Sequence, residues 1–341
     1  MTRALYAIHV GGLNVTANFD PLLISLRVSD NAGQASATAA IELDDTGGQV
    51  VMPKHGAALE IFLGWQTEGV TLVFSGKVDD VRARGSRGAG RTLSIGAKEA
   101  DVLGPSKSTQ AKHFDDKTVK EILTEAGKSA GVTDVRVDEA LASVKIPYVE
   151  MRDESFSAFG RRLAAELGAT FKLVGTRATM TARNGAGMTF PSVVAAWGRN
   201  LHDYDIAPFL GRPRFKKTRA RYYDRKQGKV VETEVETDLK GVEADTTEKF
   251  FAADEAEAKR KVKSHKAESE RGSGEGYVTL EGEVGAQPEG ECQVIGARPG
   301  IDGSYRIDGV EHSYSRSSGF VTRLDLKRPS GSAGADARGA E

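Results

Sequence analysis

The fold of this chain is decided by the stretch DGSYRIDGVEHSYSRSSGFVTRLDL, residues 302–326. Its two halves alternate apolar and polar residues around the turn SRSSG, which predicts a β-hairpin. His312 lies in the first strand between Glu311 and Ser313, and that run raises the question of an active site. A second copy of the stretch without the histidine would favour a strand histidine that only has a hydrogen-bond partner.

Such a copy exists. Residues 74–95, FSGKVDDVRARGSRGAGRTLSI, follow the same order as residues 305–326. Each stretch opens on an aromatic residue after a strand that ends in Gly. Each then runs through a Ser/Gly turn and a Thr into an alternating apolar strand, which predicts a structural duplication. The matched apolar positions are Val78 with Val310 and Leu93 with Leu324.

This match places His312 opposite Asp80. The same slot then carries different chemistry in the two copies, so we interpret His312 as a strand residue and not as a catalytic one. A His312→Ala change is expected to cost about 1–2 kcal/mol, the contribution of one hydrogen bond and its packing.

Length and composition bound the function. With 341 residues and 39% hydrophobic residues, we expect two or three globular domains. The formal net charge of -1 does not call for nucleic acid or an anionic membrane as the main partner. The single cysteine, Cys292, excludes a Cys-rich metal site. The N-terminal MTRALYAIHVGG alternates like a strand, and no run is long enough for a membrane helix, so we expect folding in a cytoplasm.

The pattern changes along the chain predict four segments. Residues 1–104 are expected to be a first β-barrel domain, and residues 105–195 a small α+β domain. Residues 196–328 are expected to be a second β-barrel domain that carries a polar helix near 254–270. The Gly- and Ala-rich tail, residues 329–341, is expected to be disordered.

Helix signals are concentrated in the middle segment. Its first helix is predicted in DDKTVKEILTEAGKSAG, with Asp115 or Asp116 as the N-cap and Gly131 at its end. A second helix is predicted in DESFSAFGRRLAAELG. The polar helix of the last segment begins with a capping-box pattern, Asp254 followed by Glu257.

No group of residues in the sequence forms a coherent catalytic, cofactor or metal site. We therefore predict a protein that is not an enzyme and that has no catalytic residues, no cofactor and no metal site. No two histidines have zincin spacing, and each adjacent carboxylate pair has a structural explanation in a turn, strand or helix start. Cys292 is expected to be a buried, inert thiol. The histidines are His9, His55, His113, His202, His265 and His312, and the carboxylate pairs are Asp44-Asp45, Asp79-Asp80 and Asp115-Asp116.

One charge cluster has two interpretations. Residues 212–229, RPRFKKTRARYYDRKQGK, interleave basic and aromatic residues, as a nucleic-acid groove would. The following VVETEVET offers Glu232, Glu234 and Glu236 as cross-strand partners, which is typical of an exposed hairpin. The acidic partner strand favours the hairpin, and we predict no specific nucleic-acid partner.

Several stretches together are similar to the phage late control gene D protein family (gpD), the hub of contractile tail baseplates. That family shares its fold with the N-terminal part of type VI secretion VgrG spike proteins. The resemblance covers about residues 1–328. The stretches that carry it are LDD followed by P..G, FSGKVDDV, DESFSAFGRRLAAELGATFKL, AADEAEAKRKV and GSYRIDGVEHSYSRSSGFVTRLDL.

The resemblance implies an α+β, mainly β fold with two related tube-like β-barrels and a small α+β domain between them. It implies a homotrimer whose six barrels form a pseudo-sixfold ring, adapting a sixfold tail tube to a threefold tail spike. The implied partners are the trimeric spike and the tail tube protein, with tape measure and baseplate wedge proteins as further candidates. The implied location is the virion tail baseplate, assembled in the bacterial host cytoplasm.

Two other functions stay open at this point. A tail-tip cell-wall hydrolase would act on peptidoglycan, although the hub fold accounts for nearly the whole chain. A DNA-contacting channel protein would use the basic residues 212–229.

Overall fold

A computed structural model shows a mainly β chain and describes residues 2–32, 36–88, 90–99, 104–183, 191–210, 215–237, 242–336 and 338. Of the segments predicted above, the start of the basic run (212–214) and part of the tail (337 and 339–341) lie outside these residues.

The first β unit is an antiparallel array in the order β3-β4-β7-β6-β5-β1-β2. Its strands alternate buried apolar and exposed polar residues, as in Thr38–Asp44, so one face packs on a core that includes Ile41, Leu59 and Ile95. Its elements are β1 (Ala4–Val10), β2 (Leu13–Asn14), α1 (Thr16–Phe19), β3 (Leu23–Asn31), β4 (Thr38–Asp44), β5 (Ala58–Trp65), β6 (Gly69–Ser86) and β7 (Gly90–Lys98).

The middle α+β segment contains two small sheets, β10-β8 and β11-β12-β9, with helices packed against them. Its core joins Phe156, Phe159 and Leu163 of one helix to Phe171 of the neighbouring strand. Its elements are a 3-10 turn (Pro105–Lys107), β8 (Thr109–Thr118), α2 (Val119–Ser129), β9 (Asp134–Val137), α3 (Glu139–Ala142), β10 (Lys145–Ser155), α4 (Phe156–Glu166), β11 (Ala169–Val174) and β12 (Arg177–Ala182).

The N-cap predicted for α2 was wrong. Asp115 and Asp116 lie in β8, because the ladder with β10 continues to the Thr118–Lys145 pair. Thr118 is the cap: its hydroxyl accepts from the Glu121 N–H at 3.3 Å, while the Glu121 carboxylate accepts from the Thr118 N–H at 2.8 Å. This reciprocal pair is a capping box.

The second β unit has the order β14-β18-β21-β20, and β20 also pairs with β19, which pairs with β13. Its first strand begins at residue 192, inside the segment expected to be α+β. The remaining elements of the chain are β13 (Ser192–Ala196), β14 (Leu201–Ala207), β15 (Lys217–Asp224), β16 (Lys229–Glu236), β17 (Asp245–Thr247), α5 (Glu255–Arg271), β18 (Glu275–Glu281), β19 (Glu291–Ile295), β20 (Gly303–Ser315) and β21 (Gly319–Ser330).

The polar helix α5 packs its apolar stripe outside the second β unit, and its last residue, Arg271, contacts that unit at Glu289 and Asp308. Together with a separate sheet, β16-β15-β17, it forms an insertion between β14 and β18. Its thin apolar stripe, Ala258 and Val262, packs on Ala220 and Tyr222 of β15. The helix and this sheet therefore share a small hydrophobic core that is separate from the core of the second β unit.

The end of the chain differs from the predicted disorder. Strand β21 continues to Ser330, and residues 331–336 fold back onto the second β unit. The Gly334 N–H donates to the Gly300 carbonyl at 2.8 Å, and the Ser332 hydroxyl donates to the Asp302 carbonyl at 2.7 Å. Backbone hydrogen bonds outweigh the low apolar content here. Among the described residues, no helix is long and apolar enough to cross a membrane.

Candidate functional site

His312 is buried in the wall of a pocket of about 340 Å³, which Thr170 and Lys172 of β11 also line. Only 6% of the residue is exposed, and its Nδ1 lies 3.0 Å from the Thr322 hydroxyl oxygen. That oxygen also accepts from the Glu283 N–H at 2.8 Å, so the Thr322 hydroxyl hydrogen can be donated to a neutral imidazole. Burial lowers the pKa of His312 to about 4.

The neighbours of His312 in sequence do not join it. Glu311 projects from the opposite face of β20, as strand alternation requires, and pairs with Arg27 at 3.3 Å. The Glu-His-Ser run therefore contains no shared reaction centre in this structure.

The other candidate groups are also apart. Cys292 is fully buried in the second core, and burial raises the pKa of its thiol to about 12. Across the described residues, no three His, Cys, Asp or Glu side chains are grouped so that they could hold a metal ion.

The predicted pairing of the basic hairpin is confirmed for its described residues. Lys217 contacts Glu234 at 3.0 Å and Glu236 at 3.1 Å across the β15–β16 ladder. Arg219 contacts Glu234 at 3.1 Å and the Asp245 carboxylate of β17 at 2.7 Å. These contacts neutralise part of the charge that would make a nucleic-acid groove.

The two β units repeat one topology. The order β3-β4-β7-β6-β5-β1 in the first corresponds to β14-β18-β21-β20-β19-β13 in the second. Both units have a bulge near the start of the first strand of this order, at residues 24 and 202. Both have a second bulge in the long strand, at Asp79 in β6 and at Asp308 in β20. The units differ at their last strand, since β1 is antiparallel to β5 whereas β13 is parallel to β19.

The second bulge carries the same ion pair in both units. Asp79 contacts the Lys98 ammonium at 2.6 Å, and Asp308 contacts the Lys327 ammonium at 2.9 Å. Both lysines occupy the same place in the strand that follows the hairpin turn. A shared irregularity with a shared partner is strong support for a duplication.

These bulges correct the match made from sequence. Without a gap, residues 75–98 align with residues 304–327, and the turns Ser-Arg-x-x-Gly coincide. Val78 then corresponds to Ile307 and not to Val310, and His312 corresponds to Ala83 and not to Asp80. The aromatic residues that open the two hairpins, Phe74 and Tyr305, are not equivalent positions, so aligning them gave the wrong register. The motif Lys/Arg-Val/Ile-Asp-x-Val around each bulge is the signal that would have given the register.

One continuous sheet joins the two units. Strand β20 pairs antiparallel with β3 over residues 309–315 and 25–31. Phe320, from the second hairpin, is buried in the core of the first unit, and the Trp65 indole N–H donates to the Gly282 carbonyl at 2.9 Å. The sheet therefore runs β14-β18-β21-β20-β3-β4-β7-β6 across both units.

The eight strands from β14 to β6 in this 13-stranded sheet have one polar face and two open edges. Basic and acidic side chains interleave on the polar face, where Arg27 contacts Glu311. Within the described part of the chain, no strand pairs with the outer edge of β14 or with the outer edge of β6 over residues 80–85. The other charged residues of this face include Glu42, Arg82, Arg84, Lys98, Asp203, Asp205, Glu281, Arg323, Asp325 and Lys327.

A buried polar network, which sequence reasoning missed, ties the segments together. Arg271, at the end of α5, is 9% exposed and binds both carboxylate oxygens of Glu289 at 2.9 and 3.0 Å. It also donates to Asp308, while Thr170 of the middle segment donates to Glu289 at 3.1 Å. Burial alone would raise the pKa of Asp308, but the hydrogen bonds from Arg271 and Lys327 hold it below its usual value.

The chain is similar in sequence to two phage proteins. No protein-family model matches the chain. The probable baseplate hub protein of Escherichia phage 186 is 28% identical over 358 residues, covering 92% of this chain and 90% of that protein. The probable baseplate hub protein of Escherichia phage P2 is 33% identical over 165 residues, covering 48% of this chain and 41% of that protein.

Solved structures share the whole fold. The tail protein from Neisseria meningitidis MC58 has a TM-score of 0.71 at 16% identity, covering 98% of this chain and 99% of that one. The E. coli c3393 protein, a component of the type VI secretion system, has a TM-score of 0.58 at 11% identity, covering 96% and 78%. The chain is therefore similar in sequence to phage baseplate hub proteins, and it shares its fold with these tail and secretion-system proteins.

Proposed function

We propose that this chain is a structural baseplate hub protein of a contractile phage tail or a related injection device. As a homotrimer it adapts a sixfold tail tube to a threefold tail spike. The observation that carries the proposal is the repeated topology: two units of one strand order lie in one continuous sheet. Three chains would place six such units in a ring, while the rest of the chain repeats only three times.

The open edges of the sheet support ring closure. An unpaired strand edge is a template for another strand, and natural proteins cover or block such edges. Here one open edge is β14 of the second unit, and the other is the part of β6 in the first unit that lies beyond its pairing with β5. Because the two edges lie on different units, chains can join head to tail. A heterologous contact of this kind closes into a ring when the rotation fits.

The polar face of the sheet would line the channel. Its mixed charges suit a passage through which DNA moves without being held, because phosphate binding depends on a basic surface. The partners in this proposal are the trimeric spike and the tail tube protein, with tape measure and baseplate wedge proteins at the periphery. Assembly would take place in the bacterial host cytoplasm before incorporation into the virion tail.

Native mass spectrometry of the protein, alone and mixed with its cognate spike protein, tests the proposal. A complex of three hub and three spike chains supports the adaptor. A stable monomer that does not bind the spike protein, or a ring of six hub chains, would contradict the proposed adaptor.

The role proposed here is structural and not enzymatic. Zymography on peptidoglycan addresses the hydrolase alternative, and clearing by the purified protein would contradict the proposal. Gel shift of DNA at increasing salt addresses the channel-binding alternative, for which a steep loss of binding with salt would be the signature.

A further inference from the structure

The junction between the two β units shows how these units join edge to edge. Strand β20 pairs with β3 so that Ser313 lies opposite Arg27 and Glu311 lies opposite Ser29. On the polar face, Glu311 contacts Arg27 at 3.3 Å and accepts from the Ser29 hydroxyl at 3.3 Å. One diagonal ion pair therefore accompanies the backbone ladder at this junction.

The two open edges are the counterparts of the two strands in that junction. By topology and bulge position, β6 corresponds to β20 and β14 corresponds to β3. Within the described residues, neither edge has a partner strand. The geometry that joins β20 to β3 can thus be repeated between β6 of one chain and β14 of another.

We infer that β6 of one chain pairs antiparallel with β14 of a second copy, with Arg84 directly opposite Asp205. The inference rests on the proposed homotrimer and assigns the strands and the register of its contacts. The bulges at Asp79 and Asp308 align β6 with β20, and the bulges at residues 24 and 202 align β14 with β3. With the register of the β20–β3 ladder, this alignment places residues 82–86 opposite residues 203–207.

Charge complementarity supports this register. In it, Arg82 takes the place of Glu311 and Asp205 takes the place of Arg27, so the diagonal ion pair recurs with its polarity reversed. Arg82, Arg84, Asp203 and Asp205 are all exposed, and none forms an ion pair within the described residues. Opposite charges facing each other across strands stabilise a sheet.

The reversed polarity also excludes wrong pairings. If β20 met the edge of β14, Glu311 would face Asp205, and if β6 met β3, Arg82 would face Arg27. Like charges across strands are destabilising, so β14 favours β6 over β20, and β3 favours β20 over β6. The two kinds of junction must then alternate around the ring.

A cysteine pair tests the register. In the R84C/D205C double variant the two positions would be directly opposite, with Cα atoms about 4.5–5.5 Å apart, which a disulfide can span. The matched control R84C/D203C places the two positions on a diagonal of about 7–8 Å, beyond that reach. The native Cys292 is buried and does not compete.

Each double variant is oxidised alone and with the cognate spike protein, then resolved on a denaturing gel, with native mass spectrometry run in parallel. Covalent hub dimers and trimers from R84C/D205C but not from the control are expected. A trimer in the mass spectrum without this cross-link, or an adduct with the spike, overturns the register and leaves the trimer standing. A chain that stays monomeric throughout overturns both.

Charge reversal gives a second measurement. R82E/R84E and D203R/D205R are each expected to lower the trimer fraction roughly tenfold at a fixed concentration, since attraction becomes repulsion at every contact. Combining the four changes should restore assembly. The control R225E, in the exposed turn of the basic hairpin, should leave it unchanged. Equal assembly by all variants contradicts the inference.

Discussion

The stability of the second β unit should depend on pH through His312. In the folded chain burial lowers the pKa of this imidazole to about 4, whereas the unfolded chain has the ordinary value of about 6.5. The unfolded state therefore binds the proton first as the pH falls. The free energy of unfolding should decrease from pH 6.5 downward, by about 2 kcal/mol at pH 5 and about 3 kcal/mol below pH 4.

The change that isolates this effect is His312→Asn, which keeps a polar group beside Thr322 but cannot titrate. Urea unfolding followed by Trp65 emission is a suitable assay, because the Trp65 and His312 rings both pack against Phe320 at 5.8 Å. The exposed Trp197 is replaced by Phe to leave one reporter. Between pH 7.5 and pH 5 the parent should lose about 2 kcal/mol more than H312N.

His113 supplies the matched control, since its side chain is 70% exposed. H113N should lose as much stability as the parent between the two pH values, because this side chain lies outside the core. Equal loss of stability by the parent and H312N would refute the assignment of a buried, neutral His312.

Three further changes test other contacts. Arg271→Met should destabilise the fold by about 3–5 kcal/mol in urea unfolding, because it leaves Glu289 buried without its cation; a cost below about 1 kcal/mol would contradict the network. Thr118→Ala should cost about 1 kcal/mol by loss of the capping box, whereas Asp115→Ala, the matched control in exposed β8, should be near neutral in the same assay. Glu234→Gln should raise DNA affinity in a low-salt gel shift, because it removes one negative charge beside Lys217 and Arg219. Unchanged binding would show that the hairpin does not present its charge to DNA.

Alternation and turn chemistry predicted most of the strands, including the hairpin that contains His312, because these are local signals. They also revealed the duplication. Alternation alone could not give its register, because the bulges at Asp79 and Asp308 shift the alternation by one residue. The shared motif around each bulge is the signal that fixes it. The insertion of β15–β17 and α5 was equally hidden, because a polar hairpin and a polar helix can belong to any neighbouring layer.

Contacts between residues far apart in the chain could not be predicted from the sequence. Nothing in the local pattern of Arg271 indicates that it meets Glu289 and Asp308, since such a network exists only once three segments have packed. The same holds for the pairing of β20 with β3, because alternation marks a strand and its buried face but does not name its partner.

The pairing of β20 with β3 has a consequence for synthesis. Ser29 and Glu311 meet across 282 positions of sequence, and a nascent chain folds from its N-terminus as it emerges from the ribosome. The first unit must therefore wait with an unpaired β3 edge until nearly the whole chain has been made. Arg27, exposed on that edge, discourages association with other nascent chains in the interval. Because pairing over such a sequence separation has a high entropic cost, we expect the β20–β3 ladder to form late in folding.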